Sequence, residues 1–324
     1  MPPTSVSKRF KIIFFGSSDF SVPVFESLFR LPHEMTAVVT IPDRPKGRGL
    51  RVVANPVRRL AEERKIPVHA PESLRAPEAE KEIKLLHPDV FVVASYGKLI
   101  PGSWLQIPSK AAFNVHPSLL PKYRGAAPIA WQILDGEKEV GVSIAEVTKE
   151  LDAGDIFEQI RIPMEKDGTS RSLSKKLAEL GGKALAAALI KLERGALDRT
   201  PQDSSQSSYA RQLTKDDGML NLLEPAEILE RKVRAFDPWP GTFIEYPGGP
   251  LRILEGLCDS TSAAEAAPGV LLSIPPEGHL RIQTGEGTLA VSKVQLSGRR
   301  VISGKEFANG ERLKPGFSFL NPSR

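Results

Sequence analysis

The sequence predicts an α/β domain with a mostly parallel sheet, followed by a smaller β-barrel domain. Three observations carry that expectation. Short apolar runs alternate with helical patterns through the first half, the signature of βαβ units. Runs such as FKIIFFG and DVFVVAS are apolar almost throughout, as strands buried on both faces are. Beyond about residue 218 the texture shifts to short β-like runs separated by Gly and Pro, the pattern of a small barrel.

The elements follow in order. Residues 10 to 16 form a strand ending at Gly16, and Ser18 or Asp19 caps a helix running through Arg30. MTAVVTI, 35 to 41, is the second strand. A helix over 77 to 87, a strand over 89 to 95 and another over 111 to 115 continue the alternation. Strands at 140 to 148 and 156 to 162 come next, and Ser170 to Arg194 reads as a long amphipathic helix. The stretch 198 to 218 is polar and poor in apolar residues, so it reads as a linker. After a helix at about 225 to 236, GTFIEY, LRILEG, GVLLSI, HLRIQT and TLAVSKVQL are the barrel strands, and 260 to 269 a mobile loop. The domains are then 1–200 and 219–324, joined by 201–218.

Composition bounds the function. A chain of 324 residues with 40% hydrophobic content supports two cores. No window approaches the roughly 18 apolar residues of a membrane span, and the first residues lack a secretion signal, which points to a cytoplasmic protein with no membrane role. The single cysteine, Cys258, is expected as a small core residue. The net charge of +5 is concentrated: residues 42 to 65 carry 8 basic and 3 acidic side chains. A positive segment of that kind suits an anionic partner such as nucleic acid. Within it, Arg58 to Lys65 also reads as a solvated helix face. Pro42 to Val53 is a loop, able to present Arg44, Lys46, Arg48 and Arg51 outward. A second candidate basic patch spans 281 to 305, with Arg281, Lys293, Arg299, Arg300 and Lys305.

Ligands of parallel α/β sheets bind at the carboxyl ends of strands. Asn114 and His116 lie at such an end, two residues apart and therefore on one side of the strand. From this stretch alone a structural histidine and a chemical one are equally good readings. The segment KELDAGDIF then supplies Asp152 from a polar loop after another strand, expected near the same end of the sheet. A carboxylate there would orient the imidazole and balance positive charge on it. Asp155 competes for that role, and spacing does not choose. The amide, imidazole and carboxylate suit acyl transfer. No G-x-G-x-x-G, P-loop, G-x-S-x-G or H-E-x-x-H motif is present, so no metal site is expected. His33, His69, His87 and His279 lack ligand-like spacing and are expected at the surface or in turns.

These residues resemble a family. NVHPSLLPKYRGAAPIAW followed by LDAGD is similar to the signature of the folate-dependent formyltransferases, and the likeness extends over FFGSSDFSVP, PDRPKGRG, SYGKLIP and VRAFDPWPG. Two stretches depart from it: GSSDF where GTPDF is common, and MLNLL where an Ile-Asp-Trp-like sequence is usual. The resemblance implies a Rossmann-like N-terminal domain binding 10-formyltetrahydrofolate and a C-terminal OB-fold-like β-barrel that helps hold tRNA. It implies that Asn114, His116 and Asp152 are catalytic and that Ser118, Leu119, Leu120 and Pro121 line the folate site. It places the Pro42 to Val53 loop at the acceptor end of a tRNA, with Arg48 as the leading contact.

The implied reaction moves a formyl group to the α-amine of methionine on initiator methionyl-tRNA, with the protein acting as a monomer. Asn114 and protonated His116 would hydrogen-bond the oxyanion, while Asp152 holds the imidazolium and, directly or through water, helps deprotonate the amine. Three alternatives stand beside it. A sister enzyme acting on glycinamide ribonucleotide or an amino sugar shares the three polar residues but needs neither the basic loop nor the barrel. A formyltetrahydrofolate hydrolase needs no acceptor loop, and a non-catalytic tRNA-binding protein needs no polar triad.

Overall fold

The structure is a computed structural model and describes residues 9–43, 45–46, 51–52, 55–259 and 266–321. Its contacts divide the chain into two units, one of Met1–Pro128, Lys138–Met164 and Leu173–Arg211, the other of Ile129–Glu137, Glu165–Ser172 and Gln212–Arg324.

The first unit is built around β1 (Lys11–Gly16), α1 (Ser21–Leu28), β2 (Glu34–Val39), β3 (Pro45–Lys46), β4 (Arg51–Val52), α2 (Pro56–Glu63) and β5 (Val68–His69). It continues through α3 (Pro77–Leu85), β6 (Val90–Ala94), β7 (Ala111–His116) and β8 (Arg124–Gly125), and after α4 (Pro128–Leu134) through β9 (Glu139–Glu146) and β10 (Ile156–Pro163) to α5 (Ser170–Glu193) and β11 (Tyr209–Ala210). Seven strands form one sheet in the order β10-β9-β7-β6-β1-β2-β5. The five strands from β7 to β5 are parallel, whereas β9 runs antiparallel to β7 and β10 antiparallel to β9. The mostly parallel sheet expected from the apolar runs is thus present.

Ile12 to Phe15 are all buried completely, so β1 is covered on both faces. On one side Phe14 stacks on Phe25 of α1; on the other Phe15 meets Phe91, Tyr96 and Trp104. Neither Ser18 nor Asp19 caps α1. Its N-cap is Phe20, and the local hydroxyl work is done by Ser21, whose Oγ accepts from the backbone N–H groups of Ser17 and Ser18 and donates to Ala94 O at 2.6 Å. Tying the β1 turn to the end of β6 stabilises the fold there more directly than an exposed cap does. His33 also departs from expectation. Its side chain is buried, stacked on Phe10 and 3.8 Å from Glu193.

The second unit contains α6 (Ala226–Ala235), β12 (Thr242–Ile244), β13 (Leu251–Asp259), β14 (Leu271–Ser273), β15 (Leu280–Gln283), β16 (Thr288–Leu296), β17 (Ile302–Ser303) and α7 (Gly304–Glu311). Its strands pair antiparallel in the order β12-β13-β16-β15-β14, with β17 on β16. Bulges in β13 at 253–256 curl the sheet around a core including Leu229, Ile253, Leu271, Val291 and Phe307. Among the described residues the pairing runs from β12 to β14 without joining these two ends. Cys258 lies half-buried on β13, outside that core, because its register position faces partly outward. The expected mobile loop falls mainly on residues 260–265, which lie outside the described residues.

Candidate active site

Asn114 and His116 lie within the last three residues of β7, as their position in the sequence predicts. Asp152 reaches them by a route that spacing did not predict. Because β9 is antiparallel to β7, Glu146 at its end pairs with Phe113, three residues short of His116, so the β9–β10 loop does not leave from the carboxyl end of β7. The loop doubles back instead. Gly154 permits this, since a Cβ there would lie 2.1 Å from Glu146 O. Asp152 sits at its crest with φ +53°, a left-handed conformation that a non-glycine residue adopts only when its surroundings enforce it.

The three side chains converge. Asn114 Nδ2 donates to Asp152 Oδ1 at 2.8 Å, and the N–H of Gly125 donates to Asp152 Oδ2 at 2.8 Å. His116 Nδ1 stands 3.7 Å from the same Oδ2, too far for a hydrogen bond but close for charge. The other ring nitrogen, Nε2, is 2.8 Å from Tyr123 O. A carbonyl only accepts, so Nε2 carries a hydrogen and Nδ1 is the nitrogen left to face a substrate. A carboxylate likewise only accepts, which orients the Asn114 amide and leaves its second N–H unengaged among the described residues.

Asp155 gives its backbone carbonyl to the N–H of Glu146 at 2.8 Å. Of the two aspartates, Asp152 is the one whose carboxylate lies beside Asn114 and His116.

The Ser118–Pro121 loop is held from below. Ser118 Oγ is fully buried and donates to Lys122 O at 2.7 Å, while Leu120 N donates to Ser143 Oγ and Leu120 O accepts from Gln159 Nε2. Its hydroxyl therefore shapes the loop and does not face outward. Leu120 is buried, and Leu119 and Pro121 are half-buried, with the Leu119 side chain packed on Gly141. Apolar surface is nevertheless available: Leu99, 74% exposed, and Leu151, 44% exposed, lie on loops brought together where Lys149 packs on Gly102.

Of the basic loop, Arg44 and Arg48 lie outside the described residues, and Lys46 and Arg51 are described only as backbone partners in the β3–β4 pair. On the neighbouring helix Arg58 pairs with Asp43 and Glu62, each at 2.8 Å, and Arg64 at its C-terminal end lies over the Phe29 ring, while Arg59 and Lys65 have no ion-pair partner among the described residues. In the second candidate patch four of the five cations stand beside carboxylates, Arg281 beside Asp259, Lys293 beside Glu255, Arg299 beside Glu311 and Arg300 beside Glu306, while Lys305 has no ion-pair partner among the described residues. Among the described residues no group of three His, Cys, Asp or Glu side chains is placed to hold a metal ion, and no helix is long and apolar enough to cross a membrane.

Sequence reasoning missed Gly125, Tyr123, Ser208 and Gln202. Gly125 has φ +112°, and a Cβ on it would meet Tyr209 Cε2 at 2.7 Å and Ala210 O at 2.8 Å. The Y-R-G turn was the available signal. Ser208 accepts from Tyr123 N through its Oγ at 2.8 Å and from Arg124 N through its backbone oxygen. Nothing in a polar stretch that reads as a linker announces such contacts.

Comparison with known proteins matches both units. The family model described as "Formyl transferase" covers residues 8–189, and "Formyl transferase, C-terminal domain" covers 212–312. The chain is 38% identical over 308 residues to a methionyl-tRNA formyltransferase of Hydrogenovibrio crunogenus, covering 95% of this chain and 98% of that one. It is 40% identical over 308 residues to that of Myxococcus xanthus, covering 95% and 97%. Among solved structures, HypX from Aquifex aeolicus in complex with tetrahydrofolic acid is similar at a TM-score of 0.64 and 20% identity, covering 95% of this chain and 48% of that one.

Proposed function

The chain belongs to the formyl transferase family, and from that premise we propose that it transfers the formyl group of 10-formyltetrahydrofolate to the α-amine of methionine on initiator methionyl-tRNA, yielding N-formylmethionyl-tRNA for translation initiation. The observation that carries this reading is the meeting of Asn114, His116 and Asp152 at the end of β7, in a chain aligned nearly end to end with relatives of that name.

The folate cosubstrate supplies an activated formyl carbon and leaves as tetrahydrofolate. The protein must then stabilise negative charge on the formyl oxygen and carry one proton from the amine to the departing nitrogen. The unengaged N–H of Asn114 is a donor for that oxygen. His116 Nδ1 is the free ring position: neutral, it takes the amine's proton; protonated, it donates to the oxyanion and then returns the proton to the leaving group. Asp152 already accepts hydrogen bonds at both oxygens, so its part is to align Asn114 and balance the imidazolium, 3.7 Å away. Leu99 and Leu151 suit the planar pterin, with the Leu119 and Pro121 edge of the Ser118–Pro121 loop beside the acyl site. Arg44, Lys46, Arg48 and Arg51 would meet the tRNA acceptor end by charge.

The test is formyl transfer to methionyl initiator tRNA, with uncharged tRNA as control. His116→Ala and Asn114→Ala should each lower kcat by about 10² or more with folate binding kept. Wild-type turnover in His116→Ala would remove the assigned role. Release of formate without tRNA would point to a hydrolase.

A further inference from the structure

Residues 190–211 fall between the two regions matched by the family models, and their polar composition reads as a connector. One side chain in that stretch, Gln202, has its whole hydrogen-bonding capacity committed to the active-site loops. Its Nε2 donates to Asp152 O at 2.8 Å and to Gly154 O at 2.7 Å. Its Oε1 accepts from Arg124 Nε at 3.1 Å and Nη2 at 2.9 Å. The amide orientation follows from chemistry, because carbonyls only accept and a guanidinium only donates.

We propose that Gln202 is a positioning residue for the reaction: its amide holds the Asp152 loop in the one arrangement in which the carboxylate meets Asn114, Gly125 and His116. The contacts close a circuit through both ends of Asp152. The carboxylate takes the N–H of Gly125, the preceding residue Arg124 binds Gln202, and Gln202 returns to the Asp152 carbonyl. The Asp152–Ala153 and Gly154–Asp155 peptide planes are thereby clamped by one amide. That clamp is what a left-handed Asp152 requires, since such a backbone relaxes unless over-determined. Arg124 also lies 3.7 Å from Glu150, at the approach to the same loop. Removing the amide's donors frees the Asp152 peptide to rotate and swings the carboxylate away from His116, with no loss of any group that touches substrate. Misplacement of that order costs about 10-fold to 10²-fold in rate.

The inference rests on the proposed part of Asp152 in formyl transfer, and a double-mutant cycle separates the two. Steady-state transfer is measured for the full-length wild type, Gln202→Leu, Asp152→Asn and the double variant. Gln202→Leu should lower kcat by about 10-fold or more while KM for folate and for charged tRNA stays within about twofold. In the Asp152→Asn background the same change should cost less than about threefold, because Gln202 acts through the missing carboxylate. A wild-type kcat in Gln202→Leu, or a full multiplicative loss in the double variant, would overturn the proposal. Asp152→Asn with wild-type turnover would instead undo the reading of the site itself. Should Gln202→Leu not fold, Gln202→Glu decides: it keeps an oxygen for Arg124 but sets a second against the two carbonyls, so its kcat must fall in protein that circular dichroism shows to be folded at the assay temperature. Wild-type kcat there rejects the idea equally.

Discussion

At the scale of single residues, the site depends on Gly125 as much as on the three polar side chains it serves. Its N–H anchors Asp152 Oδ2, and its φ of +112° with Tyr209 and Ala210 crowding the Cβ position excludes a side chain. Gly125→Ala should therefore lose about 1–3 kcal/mol of stability and about 10-fold or more in kcat, read by urea unfolding and by formyl transfer. His33 offers a pH test away from the site. Burial depresses its pKa, with Glu193 opposing. The folded protein then binds that proton less well than the unfolded chain, so the contribution is fully present above about pH 6.5 and is lost as pH falls below it. The urea midpoint should drop between pH 7 and 5.5 in wild type and drop less in His33→Gln. Among residues, Asn114 and His116 were legible because two polar side chains on one side of an otherwise apolar strand are uncommon, whereas an aspartate in a glycine loop is ordinary and Asp152 stood out from Asp155 only through the family resemblance. Gly125 and Gln202 were not, since their roles lie in backbone contacts that residue type does not encode.

Among elements, β7 is held in place by close packing of α5. A Cβ on Gly181 would lie 2.7 Å from Val115 Cγ1, and Val115 stands between Asn114 and His116. Gly181→Ala gains helix propensity of about 1 kcal/mol, but it forces Val115 to move in a β-strand. The net outcome should be a loss of about 1–2 kcal/mol with lowered kcat. Gly310 in α7 has nothing within 4 Å of its Cβ position, so Gly310→Ala should be neutral or stabilising by up to about 1 kcal/mol. Denaturant midpoints of the two variants moving in the same direction would discard this contrast. The longer strands of the first unit were readable from their apolar runs, whereas the two-residue strands β3, β4, β5, β8 and β11 were not, being too short to carry a pattern. The reversed direction of β9 was not, because a buried strand has the same composition whichever way it runs.

For the whole molecule, the positive surplus of residues 42 to 65 is the sequence-level pointer to tRNA. Arg58 is already paired, and in the 281–305 patch Arg281, Lys293, Arg299 and Arg300 stand beside carboxylates. Affinity for tRNA should thus rest mainly on the loop. Arg48→Ala should raise KM for charged tRNA and lower the slope of log affinity against log salt by about one, while folate hydrolysis is unaffected. An unchanged KM would reject that assignment. By itself the amino-acid sequence determined the two-unit build, the mostly parallel sheet and the pairing of Asn114 with His116 on one side of a strand end, because periodicity and residue chemistry are local properties; it singled out Asp152 over Asp155 only through the family resemblance. Only the tertiary structure decided that the Asp152 loop folds back over an antiparallel strand, that Nε2 of His116 is consumed by Tyr123, and that the connector clamps the site. Those are long-range hydrogen bonds, and no local pattern specifies which distant carbonyl a buried donor will find.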